Sequence, residues 1–428
     1  MGQENKLVNI GTILTLRYDP ASNSLIKDHN GSGSSVRKIP PKQISQLRQI
    51  FSKDHNNIPS SQDIENEIRR LIKIRIEQSK ASRIAVALSS GVDSNVIFSL
   101  IRKEFPQVNI ECLNVTFDED SSEALHAGQI AESKEAGFHE IHVENPLKDL
   151  PMLLSIIKEP RWNVYQYYFI EKARSISNVL FTGDGGDELF AGYTFRYKKF
   201  LETINSLNRS TCEERVQTYL QCHERDWVPD QEDMFAGTQI KFRWSAIYDL
   251  INPYFDNDLD PLEQVLLADY HGKLMYDFIP SNEKLFKHFN IAGTAPLLCN
   301  QVIDISTKIP ASLKYDFESH LGKIQLREII KHSMSGYSSE GNKKIGFGMD
   351  LAKFWSRYGK EIVISNLEKG RIFEDKIINK EWYDKSLVRI NEKKEDATRY
   401  ISKMLQLLSL EIWYKLFITS EINANYSI

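Results

Sequence analysis

The chain has 428 residues, 41% of them hydrophobic and 26% charged, enough apolar material for one large domain with a smaller appendage. Its 54 lysines and arginines against 58 acids give a net charge of −4, so no basic field argues for nucleic acid, and no long apolar run argues for a membrane span. Small molecules or other proteins are the expected partners.

The amino terminus, MGQENKLVNIG, lacks a charged-then-apolar secretory pattern, which makes the cytoplasm the expected compartment. Residues 1–57 read as a short separate segment, with NIGTILTLRY (Asn9 to Tyr18) and the polar stretch after it forming a strand, a turn and a second short strand. The main domain is expected over 58–428. Ser60 and Asp63 suit a capping box, after which Ile64, Ile68, Leu71, Ile72 and Ile76 share one helical face.

The central stretch is RIAVALSSGVDSNVIF (Arg83 to Phe98). A buried-strand run meets a small, hydroxyl-rich turn and then an apolar helical pattern, the form of an anion-binding loop at a helix start. Ser89, Ser90, Gly91, Val92 and Ser94 would surround a phosphate. Asp93 would repel it unless a cation lay between them, and magnesium supplies that cation. The loop has no Walker lysine, so kinase or GTPase chemistry is not indicated.

Beyond it, strands expected at 84–88, 109–117, 139–143 and 178–182 alternate with helices near 92–104, 121–136, 147–157 and 163–176, with Ser121 or Ser122 as an N-cap and Gly137 as a C-cap. That rhythm specifies an α/β fold with a doubly wound parallel sheet, whose ligands bind beyond the carboxyl ends of the strands. The fourth strand opens a second loop, NVLFTGDGGDELFAGY (Asn178 to Tyr193), in which Asp184, Asp187 and Glu188 crowd around Gly183, Gly185 and Gly186. Such acids need a shared cation or protons. The two loops would face one crevice, with Asp93 and Asp187 on magnesium. After Tyr193 the chain reads as largely helical, with loops at 226–238 and 251–261 and a Gly/Ser-rich stretch at 334–348. Cys112, Cys212, Cys222 and Cys299 are scattered, with no metal spacing, and read as structural thiols.

Ser-Ser-Gly-Val-Asp-Ser resembles the pyrophosphate loop of the N-type ATP pyrophosphatases, and together with GDGGDE it resembles the synthetase domain of the asparagine synthetase family. Lys158 to Pro160 with Trp162, Tyr165 and Tyr168, then KIPASLKYD (Lys308 to Asp316), GKIQLRE (Gly322 to Glu328), Lys344 with Gly346 and Phe347, and LLSLEIWYKLF (Leu407 to Phe417) extend the similarity over roughly 80–420. The resemblance implies ATP and Mg2+ as cofactors, adenine held near Ala87 and Val115, Lys344 stabilising developing charge, Asp184 contributing at the acidic loop, and a mobile 334–348 loop.

Two departures stand out. Gly2 holds the place of the nucleophilic cysteine of the family's glutaminase domain, so residues 1–57 are either a remnant of that domain or an unrelated segment, and ammonia would come from solution or from a separate glutaminase subunit. In NIAGTAPLLC (Asn290 to Cys299), Ala292, Thr294 and Cys299 stand where the family has glutamate, arginine and aspartate, which leaves the carboxylate substrate open and brings in Glu283 as an alternative acid. The expected activity is adenylylation of a carboxylate, with pyrophosphate release, followed by transfer to ammonia or an amine. Aspartate is the first candidate, a β-lactam-synthetase or lasso-cyclase type of acceptor the second, and a non-catalytic ATP-binding subunit the alternative from another class. Homodimerisation stays open.

Overall fold

The computed structural model describes residues 9–19, 58–117, 121–207, 209–223, 227–333 and 349–428. At its centre lies a five-stranded, all-parallel sheet of β1 (Arg83–Ala87), β2 (Asn109–Thr116), β3 (Gly137–His142), β4 (Val179–Phe181) and β5 (Ala292–Thr294), in the order β3-β2-β1-β4-β5. The order reverses between β1 and β4. In a doubly wound sheet that switch point is where the crossover helices diverge to opposite faces and leave a crevice. The glycine-rich acidic loop follows β4 and the serine loop follows β1, so both expected ligand loops open into it.

The sheet is covered on both faces, and alternate residues of each strand serve different cores. Ile84, Val86, Ile110, Cys112, Val179 and Phe181 pack with the helices Ser61–Ser79, Val92–Glu104 and Ile324–Ser333. Ala85, Leu113, Val115 and Leu180 face the other way, onto the helices Leu150–Ile157 and Gln166–Arg174 and the helix Ala397–Phe417, which is buried from Tyr400 to Tyr414. This period-2 division explains why the strands read as continuous apolar runs. A third cluster, built from Tyr197, Phe200, Tyr219, Tyr254 and Phe255 among others, holds the helical region together. A short antiparallel pair, β6 (Tyr315–Asp316) and β7 (Leu321–Gly322), precedes the helix Ile324–Ser333. Among the described residues no helix is long and apolar enough to cross a membrane.

Most expected elements are present within one or two residues. Ser60 and Asp63 form the reciprocal capping box, and Ser121 caps the helix Ser122–Glu132 by accepting from the Ala124 N–H. Four expectations change. Asn9 to Tyr18 is not a strand: Ile10–Leu16 is a helix, because Ile10 and Leu14, four residues apart, are both buried in the core beneath the sheet. The second short strand expected after it lies outside the described residues. Gly137 is not a C-cap. The helix ends at Ser133 and the chain turns through Glu135 at φ 53°, while Gly137 opens β3 where a Cβ would sit 2.1 Å from the Glu111 carboxylate. The loop expected at 251–261 shortens, since the helix Trp244–Phe255 runs through Pro253 and buries Ile251, Tyr254 and Phe255. Finally, residues 292–294 form β5 along β4.

Candidate functional site

A cavity of about 680 Å³ opens at the carboxyl ends of β1, β2 and β4. One end is lined by Ala87, Leu88, Leu113, Asn114 and Val115 with the aromatic rings of Trp162, Tyr165 and Phe169; the middle by Ser89, Asp93, Ser94 and the run Gly183 to Glu188. The size and the apolar-to-polar gradient suit a nucleotide.

The serine loop is tied into shape by its own side chains. Asn95, fully buried, donates from Nδ2 to the carbonyls of Ser89 (2.9 Å) and Gly91 (2.7 Å). The Ser94 hydroxyl accepts from the Ser89 N–H at 3.1 Å, and Asn114 donates to the Leu88 carbonyl at 2.7 Å. The acidic loop presses directly onto this structure. A Cβ on Gly186 would lie 2.2 Å from Asp93 Cγ, and one on Gly183 would lie 2.7 Å from the Ser94 nitrogen. Gly185, at φ 92°, is in the left-handed region.

Lys323 lies between the loops. It follows β7, and its ammonium contacts Asp93 Oδ2 at 2.5 Å and Asp187 Oδ1 at 2.7 Å. Burial works against its charge, but the carboxylates of Asp187 and Asp93 outweigh burial and hold its pKa above the ordinary lysine value. Burial, with the Asp93 charge adding, raises Asp184 to about 6 against the donors Thr182 Oγ1 (2.9 Å) and Asn282 Nδ2 (3.3 Å). Burial and then the neighbouring Asp187 also raise Glu188, which accepts from the Tyr193 hydroxyl at 2.6 Å.

Past the acidic loop the cavity becomes basic, lined by Arg17, Arg161, Arg196 and Lys273. Lys273 and Asp277 come from an eleven-residue π-helical stretch, Ala268–Phe278, a widened winding that often marks functional sites. Asp277 pairs with Arg161 and, at 3.6 Å, with Arg17; the fully buried Asp269 accepts from Arg196 (3.0 Å) and Tyr219 (2.9 Å). Burial, reinforced by Arg196, Lys273 and Arg17, lowers the His223 pKa well below its usual value, so its imidazole is neutral.

A sequence model of the family described as asparagine synthase matches residues 64–415. The chain belongs to the asparagine synthase family. No curated protein matches it in sequence. Membership makes ATP-dependent amide-forming ligation the class of chemistry, and it places Arg17 upstream of the region that the asparagine synthase family shares.

Of the expected site residues, the structure brings Ala87, Ser89, Asp93, Ser94, Val115, Gly183, Asp184 and Asp187 to one cavity. Ser90, Gly91 and Val92 are not among the residues lining it: Val92 is buried in the core below, and Gly91 is the N-cap of Val92–Glu104 at φ −74°. Lys344 lies outside the described residues, as does the 334–348 loop. Glu283 does not line the cavity; its neighbour Asn282 reaches Asp184 instead. Nor do Ala292, Thr294 and Cys299. The first two pair with Val179 and Phe181 across β4 and β5, and the Cys299 sulfur accepts from the Val302 N–H to cap the next helix.

Lys323, in the GKIQLRE stretch, has no assigned role in the sequence pattern alone. Arg17, Arg161, Arg196 and Lys273 were also passed over. A lysine directly after a glycine, in a segment already matched to an asparagine synthase motif, was the available signal for Lys323. For the others the signal is tertiary.

The fit of magnesium can be judged from Lys323. One cation already draws an Asp93 oxygen and an Asp187 oxygen to within 2.7 Å of itself, so the two carboxylates converge. Among the described residues no group of three or more histidine, cysteine, aspartate or glutamate side chains forms a metal site of its own. Two carboxylates completed by phosphate oxygens is a donor set that magnesium accepts.

Proposed function

We propose that this protein is a Mg-ATP-dependent ligase that adenylylates a substrate carboxylate and passes the acyl group to ammonia or an amine. The observation that carries the reading is the convergence of Asp93, Asp187 and Lys323 beside the Ser89–Ser94 loop at the β1/β4 switch point. A triphosphate needs donors on one side and a cation-holding acidic face on the other, and both are present.

In this reading the Ser89 and Ser94 hydroxyls and the start of the helix Val92–Glu104 hold the β- and γ-phosphates, while the adenine rests among Ala87, Val115 and the aromatic side chains beyond them. Asp93 and Asp187 would hold magnesium, which supplies charge neutralisation on the phosphate oxygens. Lys323 keeps the two carboxylates in register and offers its positive charge to the leaving pyrophosphate. A carboxylate oxygen of the acceptor attacks the α-phosphorus, the bond from that phosphorus to the bridging oxygen breaks, and pyrophosphate departs. The amine then attacks the acyl carbon and AMP leaves with the acceptor's former oxygen. Lys344 is assigned to charge stabilisation in these steps, and Asp184, partly protonated near neutrality, is a candidate for the amine's proton.

Aspartate with ammonia is the simplest substrate pair, and a tethered amine of the β-lactam-synthetase or lasso-cyclase type is the second. The reading that gives up chemistry altogether, a nucleotide-binding subunit, separates from these in one experiment. Asp187→Asn should abolish magnesium-dependent pyrophosphate release while nucleotide binding and fold persist; undiminished release in that variant would overturn the assignment.

A further inference from the structure

Lys273 differs from the other basic residues of the cavity. Arg17 and Arg161 both meet Asp277, Arg161 also lies 3.6 Å from Glu159, and Arg196 donates to Asp269 at 3.0 Å. For Lys273 the natural partner is Asp269, four residues back in the same π-helical stretch, whose Oδ2 makes no hydrogen bond. Lys273 does not take it. Among the described residues no carboxylate lies within ion-pair distance of its ammonium, which donates no hydrogen bond there either; it sits over the Tyr193 ring, 4.4 Å from the centroid. That ring ties it to the acidic loop, since the Tyr193 hydroxyl donates to Glu188, the neighbour of Asp187, at 2.6 Å. The backbone beneath the lysine is closely packed: a Cβ on Gly272 would stand 2.5 Å from the Tyr18 hydroxyl, and the Tyr18 ring stacks on Tyr276 with centroids 6.4 Å apart.

We propose that Lys273 holds the carboxylate of the acceptor. This rests on the ligase reading above. The acceptor arrives as an anion and has to reach a triphosphate in a cavity also lined by Asp93, Asp184, Asp187 and Glu188, so a cation must hold it against that repulsion. Lys323 is engaged by Asp93 and Asp187, which leaves Lys273 as the ammonium beside the acidic loop that carries no carboxylate of its own among the described residues. It lines the cavity wall half-buried, and burial lowers its pKa, with the Arg196 and Arg17 charges adding to that effect and the Asp269 and Glu188 charges opposing it. A cation in that position gains free energy from an anionic ligand, which offsets its lost hydration. A compact ammonium can grip one carboxylate oxygen and leave the other to attack the α-phosphorus, while the Tyr193 face supports the charge from the opposite side.

The test is calorimetric titration of the full chain with succinate, N-acetyl-L-aspartate and L-aspartate, with magnesium and α,β-methylene-ATP and again without nucleotide. We expect at least one of the three to bind, Lys273→Met to weaken that binding about tenfold or more while nucleotide affinity stays within about twofold, and Lys273→Arg to recover part of it. In the parent, carboxylate binding between about pH 8 and 10 should draw protons from the buffer, because the bound anion raises the lowered lysine pKa again. No binding of any of the three, an unchanged carboxylate affinity in Lys273→Met, an equal loss of nucleotide affinity in that variant, or no proton uptake by the parent overturns the proposal. Failure of the nucleotide alone to bind the parent overturns the ligase reading instead, and the titration without nucleotide still decides the role of Lys273.

Discussion

Replacing Lys323 by methionine removes the ammonium that bridges Asp93 and Asp187 and leaves a side chain of similar length. The contacts of 2.5 and 2.7 Å place the two carboxylate oxygens no more than about 5 Å apart, and the side chains are only 17% and 21% exposed. At that separation and an effective dielectric of about 20, the repulsion alone is roughly 3 kcal/mol, and breaking a buried ion pair from one side costs about 3–5 kcal/mol. Lys323→Met should therefore lose about 3–5 kcal/mol in urea unfolding at pH 7.5. The sign of the pH effect follows from the same charges. Without Lys323 the folded-state carboxylate pKa values rise, so the deficit is full above them and shrinks as pH falls and one acid takes a proton. Magnesium should act like the missing ammonium: at ten times its dissociation constant it returns about 1.4 kcal/mol to the variant, and less to the parent, whose carboxylates are already paired. A stability loss under about 1 kcal/mol, or a magnesium response no larger than the parent's, would refute the reasoning.

Three further outcomes follow from the described contacts. Asn95→Ala removes both donors that brace the serine loop and should cost about 1–3 kcal/mol in unfolding while weakening ATP binding, measured by titration; a variant with parental ATP affinity would show that the loop holds its shape without them. Gly186→Ala forces a Cβ into the Asp93 carboxylate, 2.2 Å away, and should eliminate pyrophosphate release with little loss of secondary structure in circular dichroism. Lys314, buried, has its pKa lowered by that burial to about 7, so the unfolded chain holds the proton more strongly and stability should rise with pH between about 7 and 10, by up to about 1.4 kcal/mol per unit. In Lys314→Met that slope should vanish from unfolding curves taken at pH 7, 8 and 9.

The parts of the site legible in the sequence were those encoded within one short stretch. The Ser89–Ser94 turn and the Gly183–Asp187 turn each sit between an apolar strand and a helix start, so local pattern fixed both their structure and their place on the rim. Lys323 could not be read in the same way, because it reaches Asp93 across 230 residues through the β6/β7 turn and only folding brings the two together. Arg17 was hidden by a misread period: the β-branched Ile and Thr in NIGTILTL favour a strand locally, while burial of Ile10 and Leu14 on one side favours the helix that delivers it. Strand β5 had no signal of its own. Ala292, Gly293 and Thr294 lack a β-branched run, and the strand exists because β4 offers an edge and Gly293 lets the Phe286 ring press against it, where a Cβ would be 2.3 Å away. Likewise, the substitutions at Ala292 and Cys299 were legible as departures, but their place at the sheet edge and at a helix cap was not.

The most direct measurement is product analysis of ATP turnover by the purified protein with magnesium, ammonium and a panel of carboxylates that includes succinate, N-acetyl-L-aspartate and L-aspartate. The account predicts AMP and pyrophosphate in equal amounts, dependent on one of the carboxylates, with an oxygen-18 label in that carboxylate appearing in the phosphate of AMP. ADP and inorganic phosphate as products, or AMP that carries none of the label, would contradict it.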